Sequence, residues 1–349
     1  MGSVGGLTIT PRNFEPCMGN RAIAIIRDIK VNPFFVFAFL TTRFARSQIE
    51  RQTTGGVQQR INLDALVSIQ TPILSDAFQK QVELRVLDAH RQHDLARLFS
   101  HQAETLLLDA LGLRVWQTPE PLTYTCRASE ALAAARFDAE YFASRVAQLL
   151  AKLSADGLTI HDVAPSRREV FDPSKHTADN FHYIEISGLR SDGTATSEVT
   201  PTGEAPSRAS KKVHQGDIIT STVGPIRRLS AIVGPEQHEH VCSSGFVVLE
   251  PRVIASEVLL TYLRLPVVCE LMDLHTSASL YPSISERDIL KLPIPEIPAT
   301  AAKSIIQNIR PAHSARHEAR ELLERAKRAV ELAIERGEEK AMKLIANGS

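Results

Sequence analysis

The sequence predicts an α+β protein: two similar domains, the first incomplete, separated by long helices that pair as an antiparallel coiled-coil rod. Three observations predict it. Residues 240–334 fall on residues 17–111 without a gap when moved back by 223 positions. Each copy leads into a long, nearly proline-free stretch with an apolar heptad seam. Strand signals stand at Tyr183–Ile186, Val213–Val223 and Gly245–Leu249 in the second half.

The repeat is sparse in identity and dense in character. Leu263 falls on Leu40, Ile284 on Ile61, Pro295 on Pro72, His313 on His90, Ala319 on Ala96 and Ala326 on Ala103. Around them, Val248 falls on Ile25, Tyr262 on Phe39, Ile289 on Leu66, Leu292 on Ile69 and Val330 on Leu107. The period is too long for a solenoid unit. It marks a duplicated domain followed by a helix, and two similar modules suit a target with two similar halves, of which duplex DNA is the commonest.

Composition sets bounds. The 349 residues suggest two or three domains. An apolar content of 43% with 23% charge marks a globular chain rather than a disordered one. Zero formal net charge argues against non-specific polyanion binding by the whole chain. No apolar run approaches the ~20 residues that cross a bilayer, and Val31–Leu40 lacks a signal-peptide layout. Cys17, Cys126, Cys242 and Cys269 have no framework spacing, so a reducing cytoplasm is the expected location.

Residues 1–76 form the first domain piece. Arg21–Arg27 is expected as a strand, Pro33 opens a helix to about Arg51, Gly55-Gly56 turns the chain, and Ile61–Ile73 leaves as a short strand. The first long helix occupies 77–114 and a connector with Pro119 and Pro121 occupies 115–136. The second domain, 137–298, has strand signals at Tyr183–Ile186 and Val213–Val223, with a polar surface loop or irregular hairpin over Ser191–Ser210. Its later part repeats the first piece: a strand at Gly245–Leu249, a helix over Ser256–Leu274, a turn at Ser277–Ser279, an exit at Pro293-Ile294-Pro295. The second long helix fills 299–346, and Pro311 is expected to kink it or delay its start.

Steps of four and three give the helix seams. The first is Val82, Val86, Ala89, His93, Ala96, Ser100, Ala103, Leu107, Ala110. The second is Ile305, Ile309, Ala312, Arg316, Ala319, Leu323, Ala326, Val330, Ala333. Alanine returns every seventh residue in both, which lets two backbones approach closely, while His93 and Arg316 are polar residues that can fix register. About 30 residues at 1.5 Å rise would make a rod of roughly 45 Å, longer than the ~34 Å of one DNA turn.

The order of short motifs in the second half resembles one target-recognition domain of a type I restriction–modification specificity subunit. The motifs are Arg136–Phe142, Tyr183-Ile184-Glu185-Ile186, Gly216-Asp217-Ile218-Ile219 with Ser221-Thr222-Val223-Gly224, Ser243-Ser244-Gly245-Phe246, the Leu259–Leu263 helix, Pro282-Ser283-Ile284-Ser285 and Leu292-Pro293-Ile294-Pro295. Residues 1–111 resemble the end of a first such domain with its helix, lacking counterparts of roughly Arg136–Pro225. Ser3-Val4-Gly5 resembles Thr222-Val223-Gly224, so Met1 is expected to sit inside a recognition domain.

The resemblance implies a non-catalytic subunit of an enzyme complex. It would read a split site on double-stranded DNA and dock methyltransferase (modification) subunits, two by expectation, through its helices. A restriction/translocase subunit would join through the same helices. S-adenosylmethionine, ATP and Mg are then expected on those partners, with no cofactor in this chain. The sequence has no Asn-Pro-Pro-Tyr-type motif, Gly-rich cofactor loop or Walker A sequence. Two other readings stay open: a truncated or half-site specificity protein, and a scaffold that only holds protein partners.

Polar residues flanking strands or in loops are the DNA-reading candidates: Arg190, Lys211, Lys212, Arg227, Arg228, Ser243, Ser244, Tyr281 and Ser283. Residues 137–298 hold 15 Lys+Arg and 21 Asp+Glu, 15 − 21 = −6, so partners are expected to supply much of the phosphate contact. His238, His240 and Cys242 alternate as metal ligands on one strand face would, without an evident fourth ligand. His90 with His93, and His313 with Arg316 and His317, lie on helices at near-ligand spacing and are expected to pack on helix surfaces or in the seam. The Glu- and Arg-rich face over Arg316–Arg336 is a solvated face or a docking face.

Overall fold

A computed structural model describes residues 4–10, 18–20, 22–55, 59–117, 121–277 and 281–346. It divides into two compact units, Met1–Ala96 with Ser314–Ser349, and Arg97–His313. Cys17, Gly56, Pro119 and Ser279 lie outside the described residues.

In the first unit, Asn32 starts α1 (Pro33–Thr41) by accepting from the Phe34 and Phe35 amides, and Pro33 fits the first helical position. The expected single helix to Arg51 is two helices. Thr42 is extended and its hydroxyl caps α2 (Arg43–Gln52), which breaks the run. Helix α3 (Leu63–Val67) then occupies part of the expected exit strand, and Ser68–Ser75 contains no strand. Nor does Arg21–Arg27 form a strand over its described residues: Ile23, Ile25 and Ile26 are 63%, 60% and 48% exposed. The physical reason is a missing partner. These positions match Phe246–Leu249, whose strand is held by neighbours on a sheet, and no strand exists among the described residues of the first unit. The unit's core gathers Phe35, Phe39, Phe78, Val82 and Val86 with Ala326, Val330, Ala333 and Ile345. Its chain continues into α4 (Asp76–Ala110).

The second unit begins within α4. Helix α5 (Ala128–Ala134) lies in the expected connector, followed by α6 (Ser144–Leu153) and α7 (Ile160–Val163). Seven short strands follow: β1 (Asn180–Ile184), β2 (Glu198–Pro201), β3 (Ala209–Lys212), β4 (Ile218–Ser221), β5 (Ser230–Ile232), β6 (Val241–Ser243) and β7 (Phe246–Leu249). They make one sheet in the order β2-β1-β6-β3 and another in the order β5-β4-β7. Of the surface loop or irregular hairpin expected over Ser191–Ser210, the structure has a strand, β2, whose polar residues pair antiparallel with β1, His182 opposite Val199. Four-residue β4 and β7 are buried throughout, the pattern of strands covered on both faces. Helices α8 (Ser256–Leu263), α9 (Pro266–Leu274) and α10 (Glu286–Lys291) close the unit, so the helix expected over Ser256–Leu274 is again two. The exit at Pro293-Ile294-Pro295 holds a single bridge from Pro293 to Thr159.

Helix α11 (Ala299–Arg336) runs through Pro311, which neither delays nor ends it. Gly337, at φ 87°, separates it from α12 (Glu338–Ala346). The first half of α4 shares a core with the second half of α11 in one unit. In the other unit, Ala103 and Leu107 from the second half of α4 share a core with Ile305 and Ile309 from the first half of α11. The two helices are therefore antiparallel. Ala89, Ala96, Ala103, Ala312, Ala319, Ala326 and Ala333 are all buried. Ala110 is exposed and does not belong to the seam: α4 ends there, Gly112 turns at φ 61°, and Leu113 takes the buried place while its amide bonds Leu108 O. His93 is exposed as well, whereas Arg316, the polar residue of the other seam, is buried at 6% exposure.

The repeat is structural. Helix starts at Pro33, Arg43, Leu63 and Asp76 recur at Ser256, Pro266, Glu286 and Ala299, each 223 residues later. The Thr54–Arg60 bridge recurs as Ser277–Ser283, at the same separation. Local signals set these positions: Asn32, Thr42 and Ser285 each cap a helix start through the side chain.

Candidate nucleic-acid interface

Three of the sequence motifs meet at Thr222. Its amide and hydroxyl both donate to Gly245 O, at 2.9 and 3.0 Å. Its carbonyl accepts from the Ile284 amide at 2.9 Å, and the Gly224 amide donates to Pro282 O at 2.9 Å. Gly224 sits at φ 59°, a conformation that favours glycine, and opens the 3-10 turn Pro225–Arg227. This junction fixes three loops side by side: Thr222–Arg228, Ser243–Gly245 and Tyr281–Ser283.

The Arg136–Phe142 motif has a closing role. The Arg136 guanidinium holds Asp138 at 2.8 and 2.7 Å and donates to Leu274 O at the end of α9. It also lies over the Tyr141 ring at 4.4 Å, and Tyr141 meets His275 edge-on. The hydrogen bond to Asp138 drives the Arg136 pKa upward and that of Asp138 downward.

The candidates separate by what their side chains already do. Lys211 Nζ donates to Phe246 O at 2.7 Å and to Glu286 at 3.1 Å. Lys212 pairs with Glu169 at 3.6 Å, and Glu169 also takes His214 at 2.6 Å. Arg228 pairs with Glu104 of α4 at 2.6 Å. Ser243 is buried and accepts from the Gly245 amide. These four serve the fold. Ser283 is half-buried and works through its backbone, bridging Ser277 and Val223. Arg190, Arg227, Ser244 and Tyr281 are exposed, and Arg227 has no ion pair among the described residues. Arg227 and Tyr281 stand on loops that the Gly224–Pro282 bond joins, a guanidinium and a phenol ready to meet phosphate or base edges.

Exposed cations outside the candidate set include Arg168, Arg208, Arg287 and Lys291. Arg168, Arg287, Lys291 and His161 line a cavity of about 540 Å³ whose wall includes Glu286, bound to Arg168 at 3.2 Å. The Arg167-Arg168 pair was the available signal, and it divides: Arg167 turns inward to Asp217, Arg168 outward.

The alternating His238, His240 and Cys242 do not converge. His240 stacks on His182 at 4.3 Å and 8°, while His238 meets His214 edge-on. Burial pushes the Cys242 thiol up to about 12, far from a thiolate ligand. Among the described residues no three His, Cys, Asp or Glu groups are placed to share a metal ion. Among them, too, no helix is long and apolar enough to cross a membrane.

No family model and no curated protein matches the chain. Solved structures do. One comes from work on the complex assembly and conformational transition of the type I restriction–modification system: 25% identity, TM-score 0.40, covering 51% of this chain and 46% of that one. The HsdS subunit from Thermoanaerobacter tengcongensis gives the same identity, TM-score and coverage. The type I restriction–modification S subunit from M. genitalium gives 15% identity and TM-score 0.30 over 89% of this chain and 72% of that one. This chain thus spans about half the length of the first two. Among the solved structures to which it is similar are therefore an HsdS subunit and the S subunit of a type I restriction–modification system.

Proposed function

We propose that this chain is the DNA-sequence specificity subunit of a type I restriction–modification complex. The observation that carries the reading is the recurrence, at one offset of 223 residues, of four helix starts and a bridge, each copy leading into one helix of an antiparallel pair. Two related modules on paired helices suit a split site on double-stranded DNA. The motif order that meets at Thr222 points to the same family. In this reading the helices dock two methyltransferase subunits and a restriction/translocase subunit. S-adenosylmethionine serves the first, ATP and Mg the second, and this chain performs no chemistry itself. The −6 balance of residues 137–298 leaves much of the phosphate neutralisation to those partners.

A half-site or scaffolding role is the second reading. The exposed Ile23, Ile25 and Ile26 favour it, because the first unit has no sheet among its described residues on which to mount a reader of the second unit's kind.

Methylation mapping separates the readings. A methylation-free host would carry the modification subunit with and without this chain. A bipartite motif appearing only with the chain supports the specificity role. A palindromic or one-sided motif assigns reading to residues 137–298 alone. No motif from a soluble complex supports the scaffold.

A further inference from the structure

The two copies part company on one helix face. Ala45 and Ile49 of α2 match Val268 and Met272 of α9, and all four are buried. The neighbouring face is rewritten. Cys269 and Leu271, 0% and 2% exposed, are replaced at the matching positions by Arg46 and Gln48, and Leu274 is replaced by Arg51. Residues 43–52 hold three Arg and one Glu, 3 − 1 = +2. The matching residues 266–275 hold no Lys or Arg and two acids, 0 − 2 = −2. Over the whole aligned pieces the balance is 7 − 3 = +4 for residues 17–75 and 4 − 7 = −3 for residues 240–298. Burying this face as α9 is buried would strand two guanidiniums and an amide, so the sequence itself specifies an open, basic surface.

That surface borders a groove of about 900 Å³. Ser47, Gln48, Arg51 and Gln52 line it from α2, with Ser68 and Gln70 across it. Gln48 is held in place by Gln70, donating to its carbonyl at 3.1 Å and accepting from its amide at 2.8 Å. Gln52 donates to Ser68 Oγ at 2.8 Å. Arg43 lies over the Phe44 ring and pairs with Glu335. Arg51 and Ser47 are exposed, and Arg51 has no ion pair among the described residues.

We infer that this face of α2 is a contact for duplex DNA, with Arg51 a phosphate ligand. The inference rests on the reading of the chain as a DNA-site subunit, and adds a contact in the first unit that does not depend on a sheet. Guanidinium forks match phosphate oxygens. Phe44 is the one aromatic ring among the groove's lining residues, half-buried with Arg43 over it, so no second ring stands beside it to stack successive bases of a single strand. Duplex therefore suits it better than single strands.

The test measures binding of a random-sequence 30-base-pair duplex to the full chain by fluorescence anisotropy, over a series of salt concentrations. The variants are Arg51→Ala, Arg51→Lys, Ser47→Glu and, in the second unit, Arg227→Ala, with circular dichroism confirming that each is folded. Losing one phosphate contact lowers the slope of log affinity against log salt by about 0.9. Arg51→Ala is expected to show that loss, Arg51→Lys to keep the slope, and Ser47→Glu to weaken binding. If Arg51→Ala and Ser47→Glu bind as wild type while Arg227→Ala weakens binding, the α2 contact is refuted and the DNA-site reading stands. If the wild-type chain binds no duplex, the α2 contact is refuted, while the DNA-site reading is decided by the methylation mapping with its partner subunit. Tighter binding of single-stranded RNA than of duplex, lost in Arg51→Ala, also overturns the proposal.

Discussion

Arg228 Nη2 donates to Glu104 Oε2 at 2.6 Å, which ties the turn after Pro225–Arg227 to helix α4 within the second unit. Arg228 is held there in a left-handed conformation, φ 58°. Its Nε is buried without a partner, so this ion pair is the guanidinium's main compensation. The side chains are 32% and 24% exposed, between the fully wet pairs that contribute 0–1 kcal/mol and the dry ones whose breakage costs 3–5. Glu104→Ala is expected to destabilise the second unit by about 1–2 kcal/mol. Urea unfolding followed by circular dichroism checks this, and an unchanged midpoint would mean that solvent replaces Glu104.

A second pair is drier. Arg167 grips both Asp217 oxygens at 2.7 and 2.9 Å, and Asp217 is 2% exposed while its carboxylate also accepts the His214 amide. The hydrogen bond to Asp217 drives the Arg167 pKa upward. Asp217→Ala leaves the guanidinium only the longer Glu250 contact, 3.6 Å, in a mostly buried place, and should cost about 3 kcal/mol. The motif Gly216-Asp217-Ile218-Ile219 is then a structural one. The variant should lose soluble expression before it loses any particular DNA contact, and a well-folded Asp217→Ala would refute that assignment.

Acid should loosen the second unit before it reaches the carboxylates. Burial, with His182 stacked alongside, lowers the His240 pKa, and burial lowers that of His275. Below the ordinary histidine value of 6.5 the unfolded chain binds protons that the folded chain refuses, so stability falls as pH drops. One such group contributes at most about 1.4 kcal/mol per pH unit. Glu169 acts in a lower window: its hydrogen bond with His214 lowers its pKa, so its contribution persists until pH falls below the usual carboxylate range. The urea midpoint should fall between pH 7.5 and 5.5, and His240→Phe, which keeps a ring against His182, should fall less. An equal fall in the variant would assign the effect elsewhere.

The difference between what the sequence disclosed and what it hid follows from range. The helix start at Pro33 was legible because Asn32 caps it within three residues, whereas the start at Glu286 was passed over although Ser285 caps it just as locally. Thr42 was equally local but read as mid-helix, and its hydroxyl ended the run. Strands depend on partners. Glu198–Pro201 is polar and became a strand because β1 lies beside it, whereas Ile23–Ile26 is apolar and did not. Lys211 and Arg228 looked like free cations because Glu286 and Glu104 lie 75 and 124 residues away in sequence.

The alanine seam gives a graded test. Ala326 is 1% exposed in the first unit's core, and Ala110 is exposed beyond the end of the seam. Ala326→Leu adds three carbons where no room exists, and should cost about 1–3 kcal/mol. Ala110→Leu should change stability by less than about 0.5 kcal/mol. Thermal melts at 222 nm distinguish them. Equal effects would mean that the seam extends through Ala110 in solution.

The sharpest contrast between the copies is a pair of matched positions, Ile25 and Val248. Val248 is fully buried in β7, opposite Ile219 of β4. Ile25 is 60% exposed with no ladder partner. A lysine at 248 would place an ammonium in an apolar sheet without a counter-charge, a change that exceeds about 4 kcal/mol and should unfold the second unit. A lysine at 25 should alter stability by less than about 0.5 kcal/mol, since its ammonium stays in water. Limited proteolysis with circular dichroism reads both outcomes on the purified chain. If Ile25→Lys unfolds the first unit as Val248→Lys unfolds the second, then Ile23–Ile26 is covered in solution, and the first unit carries a sheet after all.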